Sequence, residues 1–177
     1  DRSVSRGLGD VYKRQDVNEH DVSAVTDTDN DANTLAENVA NGASAEITAS
    51  ATDSDGSNNA VTYAITAQSC TGAFAVDSAS GAVTVADTTA VDYEAGTTCT
   101  IDITATSADT STSSAQFTVT LTDVNDNTPA FTDGATGTAS VAENVQAVGT
   151  FAATDGDANA ALTYSIVEID DLSLIHI

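Results

Sequence analysis

The chain has 177 residues, 41% hydrophobic and 5% aromatic, with no Trp and no Met, enough for one complete domain and part of a second. Four Lys and Arg stand against 27 Asp and Glu, a formal net charge of -23, which excludes nucleic acid as a partner because binding it needs cationic groups that displace counterions. No apolar run is long enough to span a membrane.

All four basic residues, Arg2, Arg6, Lys13 and Arg14, lie in the first 14 positions, so the chain beyond Gln15 carries -25. Asp1–Gln15 has no apolar run of the signal-peptide kind. The segment DRSVSRGLGDVYKRQ resembles translated adapter read-through, and so does LSLIHI at 172–177. Both are expected to be non-native and to carry no fold information. Between them the sequence predicts a linker from a preceding repeat at 16–33, a complete repeat at 34–126 and a partial second repeat at 127–171.

Strands follow from Leu35. The first two are expected near Leu35–Val39 and Glu46–Ala51. Val61, Tyr63 and Ile65 share one face of a third, because side chains two apart on a strand point the same way. Phe74 with Val76 and Val83 with Val85 give two short strands. Cys99, Ile101, Ile103 and Ala105 form the longest apolar stripe, and Phe117, Val119 and Leu121 the last. Thr, Asp and Ser between them face water. Gly56, Gly72, Gly81 and Gly96 punctuate the runs as turns require. Seven short antiparallel strands predict an all-β, seven-stranded Greek-key β-sandwich. Cys99 points inward and Cys70 shares parity with Phe74, so a disulfide is geometrically open, though parity does not establish it. If formed, it would close a loop of about 30 residues and add roughly 3 kcal/mol. Neither cysteine has zinc-site spacing.

The sequence repeats itself. Asp16-Val17-Asn18-Glu19 returns as Asp123-Val124-Asn125-Asp126, and Leu35-Ala36-Glu37-Asn38-Val39 as Val141-Ala142-Glu143-Asn144-Val145. Ala51-Thr52-Asp53-Ser54-Asp55 returns as Ala153-Thr154-Asp155-Gly156-Asp157, and Val61-Thr62-Tyr63-Ala64-Ile65 as Leu162-Thr163-Tyr164-Ser165-Ile166. Four motifs in one order at nearly one offset mean tandem domains. By strand parity Tyr63 and Tyr164 are both expected in cores.

The series AEN, ATDSDG, VTYAI, FAVDSASGAVTV, VDYE and DVNDNTPAF resembles the cadherin extracellular repeat, in order and spacing, from about Thr34 to Phe131. The alanine-rich strands and the lack of Lys and Arg look more like bacterial surface cadherin-like repeats than animal ones. The resemblance implies calcium at the junction of consecutive repeats, a hard cation that takes six to eight oxygen ligands. Carried over motif by motif, the central junction would use Glu37, Asp92 and Glu94, then Asp123, Asn125 and Asp126 with the carbonyls of Val124 and Asn127. Asp155, Asp157 and the carbonyl of Asn159 would complete it. Without metal, two carboxylates 4 Å apart repel by about 1 kcal/mol in water and roughly 4 at a surface-like dielectric, so such a linker is expected to splay until calcium clamps it. Pro129 would hold the exit extended, and Phe131 would anchor it on the next sandwich.

The upstream junction would use Asp16, Asn18 and Glu19 with Asp53, Asp55 and the Asn58 carbonyl. It departs from the family pattern: Glu19 replaces an Asp, His20 replaces an Asn that ligates through its carbonyl, and Ser107 stands where the family has a late Asp. Asp109, two residues on, is the available substitute. Asp27–Asp31 resembles half of an EF-hand loop, but Ala32 and Asn38 occupy the positions that need Gly and Glu.

The resemblance implies a cell-surface or secreted protein, with calcium-stiffened repeats serving adhesion or acting as an extender. Its partners would be adjacent repeats of the same chain, with other surface proteins or glycans beyond them. Strand-exchange homophilic adhesion in that family uses a Trp, which this chain lacks. The alternative is a carbohydrate- or ligand-binding β-sandwich with no calcium-dependent junction, which would want more exposed aromatics. An enzyme is not expected: His20 and His176 are the only histidines, neither placed as a base beside a nucleophile.

Overall fold

Alternating β-branched and small residues favour extended backbone, and the two longest such runs form the two longest strands of the computed structural model. The structure describes residues 18–134, 142, 144–145 and 149–165. It divides into two compact units, 1–122 and 123–177.

In the first unit the strands are β1 (Thr26–Asp27), β2 (Thr34–Ala36), β3 (Ser44–Ser50), β4 (Val61–Gln68), β5 (Phe74–Val76), β6 (Ala82–Val85), β7 (Thr98–Ser107) and β8 (Thr112–Thr122). They form two four-stranded sheets, ordered β1-β3-β6-β5 and β2-β8-β7-β4. Every pairing is antiparallel except β2 with β8. β1 and β2 lie at the edges of different sheets, so the architecture is the expected β-sandwich, with β1 described in addition to the seven expected strands. The acidic run Asp27–Asp31 makes the crossing. Asp27 Oδ1 accepts the N–H groups of Thr48 at 2.9 Å and Asp29 at 3.0 Å, its Oδ2 accepts from the Asn33 side chain at 3.2 Å, and Asp29 accepts from Asp31 N–H at 3.0 Å. What resembled half a cation loop is a sheet-to-sheet crossover.

The core fills the space between the sheets. Ala45, Ile47 and Ala49 of β3, with Val83 and Val85 of β6, face Cys99, Ile101, Ile103 and Ala105 of β7 and Val119 and Leu121 of β8; all are buried. Val22 and Val25, upstream of β1, are buried in the same cluster. Tyr63 is buried too, and its hydroxyl accepts the Ala51 N–H at 2.9 Å, so the one polar atom of this core ring is satisfied. Cys70 and Cys99 are disulfide-bonded, their Cα atoms 5.5 Å apart. The bond ties the β4–β5 connection to β7, beside hydrogen bonds from Ser69 N–H to Thr100 C=O at 3.0 Å and from Thr100 N–H to Ser69 Oγ at 2.8 Å.

In the second unit β9 (Ala130–Phe131) pairs antiparallel with β10 (Ala153–Thr154). The Tyr164 hydroxyl accepts the Ala153 N–H at 3.1 Å, repeating the bond between Tyr63 and Ala51. Its ring does not repeat the burial. Tyr164 is 57% exposed, against the expectation of a core residue, because its described neighbours amount to this short β-ladder and the ring of Phe131 at 6.4 Å. Phe131 is itself exposed.

Candidate metal centre

Acidic side chains gather at both ends of the first unit. β8 has 11 residues, about 35 Å of strand. One end meets the turn that joins β7 to β8, and the other end pairs with β2 and receives the Glu37 N–H at its Thr122 carbonyl.

At the β7–β8 turn, Asp53, Asp55 and Asp109 each place a carboxylate oxygen within 4.8 Å of the others. Local turn chemistry sets them there. Asp53 Oδ1 accepts the Asp55 N–H at 2.9 Å, and its Oδ2 accepts from the Ser107 hydroxyl. That hydroxyl also lies 3.1 Å from the Asn58 carbonyl, presented by a residue in left-handed backbone geometry at φ 57°, which Asn tolerates well. Asp55 is buried. Its Oδ1 accepts two consecutive linker N–H groups, Glu19 at 3.1 Å and His20 at 3.2 Å. Asp109 Oδ1 accepts both the N–H and the hydroxyl of Ser111, at 2.8 and 2.7 Å. The Ser111 bonds hold the Asp109 carboxyl below its ordinary range; burial works against them, and Asn18 and Ser107 add to them. The remaining oxygens, Asp55 Oδ2 and Asp109 Oδ2, are buried with no hydrogen-bond partner among the described residues.

At the other end Glu37 is buried, and its Oε2 accepts the Tyr93 N–H at 2.8 Å. A carboxylate oxygen of Glu37 lies within 4.8 Å of one of Glu94. Asp92 is exposed and accepts the Ala95 N–H at 3.1 Å.

The second unit repeats the Asp55 arrangement. Asp157 is buried and accepts the N–H groups of Asp126 at 3.3 Å and Asn127 at 3.1 Å, with the Asn127 side-chain amide at 2.9 Å. Burial pushes the Asp157 carboxyl up, but the Asn127 amide, the two linker N–H groups and Asp155 outweigh it and the net shift is down. Asp155 accepts the Asp157 N–H at 3.1 Å, and Asp123 accepts the Ala158 N–H at 3.1 Å. Asn159, at φ 63°, matches Asn58. Asn125 is exposed and Val124 half-buried. Asp16 lies outside the described residues.

The structure thus brings Asp53 and Asp55 together with Asp109, the substitute that the sequence offered. Glu19 and Asn18 reach this trio through a main-chain N–H to Asp55 and a side-chain contact to Asp109. Among the described residues of the second unit, Asp123, Asp126, Asp155 and Asp157 form no trio as tight. The sequence reading missed the amide of Asn127 and the hydroxyls of Ser107 and Ser111. A polar residue two positions after an Asp is the signal for the last, since short side chains bond locally across such turns. A third acidic trio, Asp29, Asp31 and Glu46, lies along the crossover, but none of the three is buried.

The donor set fits a hard cation. Every ligand atom on offer is oxygen, and two residues of the trio, Asp55 and Asp109, each keep a buried oxygen with no hydrogen-bond partner among the described residues. Ions of the Ca²⁺ type bind such sets, whereas thiolate and imidazole suit softer metals.

The cadherin domain profile matches residues 31–122. No curated protein matches by sequence. Among solved structures the chain is similar to mouse cadherin-23 repeats EC22–24, with 26% identity and a TM-score of 0.66, covering 81% of this chain and 46% of that one. It is also similar to human CDH23 repeats EC21–23, with 25% identity and a TM-score of 0.64, covering 87% and 52%. The chain therefore spans about half the length of these structures.

Proposed function

The chain belongs to the cadherin family, and on that premise we propose that it is a calcium-binding tandem-repeat segment of a cell-surface or secreted protein. Cadherin repeats are structural, adhesion-type extracellular domains and not enzymes. Calcium would bind where consecutive repeats meet and convert mutually repelling carboxylates into a clamp. The central set is Glu37, Asp92, Glu94, Asp123, Asn125, Asp126, Asp155 and Asp157 with the carbonyls of Val124, Asn127 and Asn159. The upstream set is Asp16, Asn18, Glu19, Asp53 and Asp55 with the Asn58 carbonyl. These assignments rest on motif position.

One observation carries the reading: Asp55 Oδ2 and Asp109 Oδ2 are buried and unpartnered among the described residues, in a cluster of three carboxylates, in a chain with no Lys or Arg beyond Arg14. Buried charge is costly unless it is paired or coordinates a metal. Two further facts agree. Both neighbouring structures hold several repeats, and the disulfide suits an oxidising compartment. Among the described residues no helix is long and apolar enough to cross a membrane. The repeats would act as an extender that presents other domains, with surface proteins or glycans as partners.

Thermal melting of the full chain across a calcium titration tests this. Extracellular modules bind calcium at about 0.1–1 mM, and a ligand at a hundred times its Kd stabilises by roughly 2.7 kcal/mol. A rise in Tm that is smaller in an Asp123→Ala, Asp126→Ala, Asp155→Ala variant, which keeps the Asp53–Asp55–Asp109 cluster, supports the junction. A Tm independent of calcium in the wild type would favour the ligand-binding sandwich instead.

A further inference from the structure

Ser107 is buried at the end of β7, and a hydroxyl brings no negative charge to a cation site. Ser107 faces inward all the same, placed between Asp53 Oδ2 and the Asn58 carbonyl. The missing charge lies two residues further on. The β7–β8 turn passes through Thr110 at φ 80° and carries Asp109 back toward the Asp53–Asp55 loop. Asp109 is fixed there by its neighbours. Its Oδ1 is held by the N–H and hydroxyl of Ser111, and Ser111 Oγ accepts the Val22 N–H at 2.9 Å from the segment before β1. This fixation leaves Oδ2 as the oxygen available to a ligand. It is buried without a hydrogen-bond partner among the described residues, as is Oδ2 of Asp55, a residue only 5% exposed whose Oδ1 is occupied by Glu19 and His20 N–H. Two fixed, inward, partnerless carboxylate oxygens are an arrangement that a cation completes.

We propose that Asp109 is the third carboxylate ligand of a divalent-cation site formed with Asp53 and Asp55, taking over the charge that Ser107 does not supply. Ser107 then orients Asp53 and the Asn58 carbonyl instead of carrying charge. All donors are oxygen, so the cation is hard, of the calcium class. The proposal deepens the calcium reading and rests on it.

Isothermal titration of the full chain with CaCl₂ tests the assignment, accompanied by amide NMR to place each binding event. Asp109→Asn keeps an oxygen for Ser111 and so preserves the turn, while it removes the charge. We expect one class of calcium sites to weaken at least tenfold, with loss of the calcium-dependent shifts of the His20, Asp55 and Ser111 amides. Ser107→Asp in the Asp109→Asn background restores the charge near the same place and recovers the affinity. An Asp109→Asn isotherm and shift pattern equal to wild type overturns the assignment and leaves calcium elsewhere in the chain intact. No binding by the wild type overturns the calcium reading itself.

Discussion

Asp157 accepts the main-chain N–H of Asn127 through both carboxylate oxygens, at 3.1 and 3.2 Å. Asp55 does the corresponding work for Glu19 and His20, so each unit fastens its own linker by the same carboxylate. The linker is therefore held by hydrogen bonds, and charge repulsion alone does not decide its conformation. Asp157→Ala removes the acceptor for Asp126 N–H, Asn127 N–H and the Asn127 side chain together. Hydrogen exchange of the Asp126 and Asn127 amides in calcium-free buffer is expected to quicken by about tenfold or more. Asp157→Asn, which keeps one carbonyl oxygen, should fall between. Unchanged exchange in Asp157→Ala would mean that other contacts fix this segment.

The turn between β5 and β6 gives a stability test away from the acidic loops. Gly81 sits at φ 76°, and a Cβ there would lie 2.0 Å from the Ala49 carbonyl oxygen, a distance no backbone tolerates. The close approach is required because the Ala49 N–H donates to the Gly81 carbonyl at 2.9 Å, stitching the turn to β3. Gly72 has a similar φ of 81° but open space around it. Gly72→Ala should cost about 1 kcal/mol from backbone strain alone. Gly81→Ala adds the clash and should cost about 3 kcal/mol or more. Urea melts of the two variants decide it: equal midpoints would show that the turn relaxes away from Ala49.

The sandwich was legible wherever a strand is flanked on both sides. β7 lies between β4 and β8, and its inward residues Cys99, Ile101, Ile103 and Ala105 are each 0% exposed. Such a strand imposes a period of two on its sequence. β1 was illegible because two residues, Thr26 and Asp27, carry no period; the evidence of its packing is Val22 and Val25, which precede it. Tyr164 was misread because strand parity gives the face of a side chain but not whether a second sheet covers it. At the acidic loops the paired aspartates were readable from the repeat. The orientation of Asp109 was not, since it depends on Ser111 Oγ and the path of one turn.

The disulfide closes a loop whose ends are 29 residues apart. Cross-linking a loop of that size limits the unfolded chain by roughly 3 kcal/mol. Cys99 is fully buried, so serine there would add an unmatched hydroxyl, and the Cys70→Ala, Cys99→Ala pair is the cleaner substitution. Its urea midpoint should fall by an amount equivalent to roughly 3 kcal/mol. Reductant should lower the wild-type midpoint and leave the variant unmoved. A wild-type midpoint insensitive to reductant under unfolding conditions would remove the disulfide as a source of stability.

Acid should loosen the turns that aspartates hold. Asp77 Oδ1 accepts the Ser80 N–H at 2.7 Å, the Ser80 hydroxyl at 2.8 Å and the Ala79 N–H at 3.1 Å. The Ser80 N–H foremost, then its hydroxyl and the Ala79 N–H, hold the carboxyl below its ordinary value of 3.8. At the 3₁₀ turn Thr88–Ala90, Asp87 is lowered in the same direction by the Thr89 hydroxyl and N–H. A carboxyl whose folded pKa lies below its unfolded one contributes stability that is present above about pH 4 and fades as pH falls through the folded value. Stability measured by urea should therefore be level near neutrality and drop below about pH 4, in calcium-free buffer so that metal release plays no part. Asp77→Asn lacks the titrating group; it should be less stable than wild type at pH 7 and lose less on passing to pH 3. Parallel pH profiles for the two proteins would show that the Asp77 turn does not contribute to acid sensitivity.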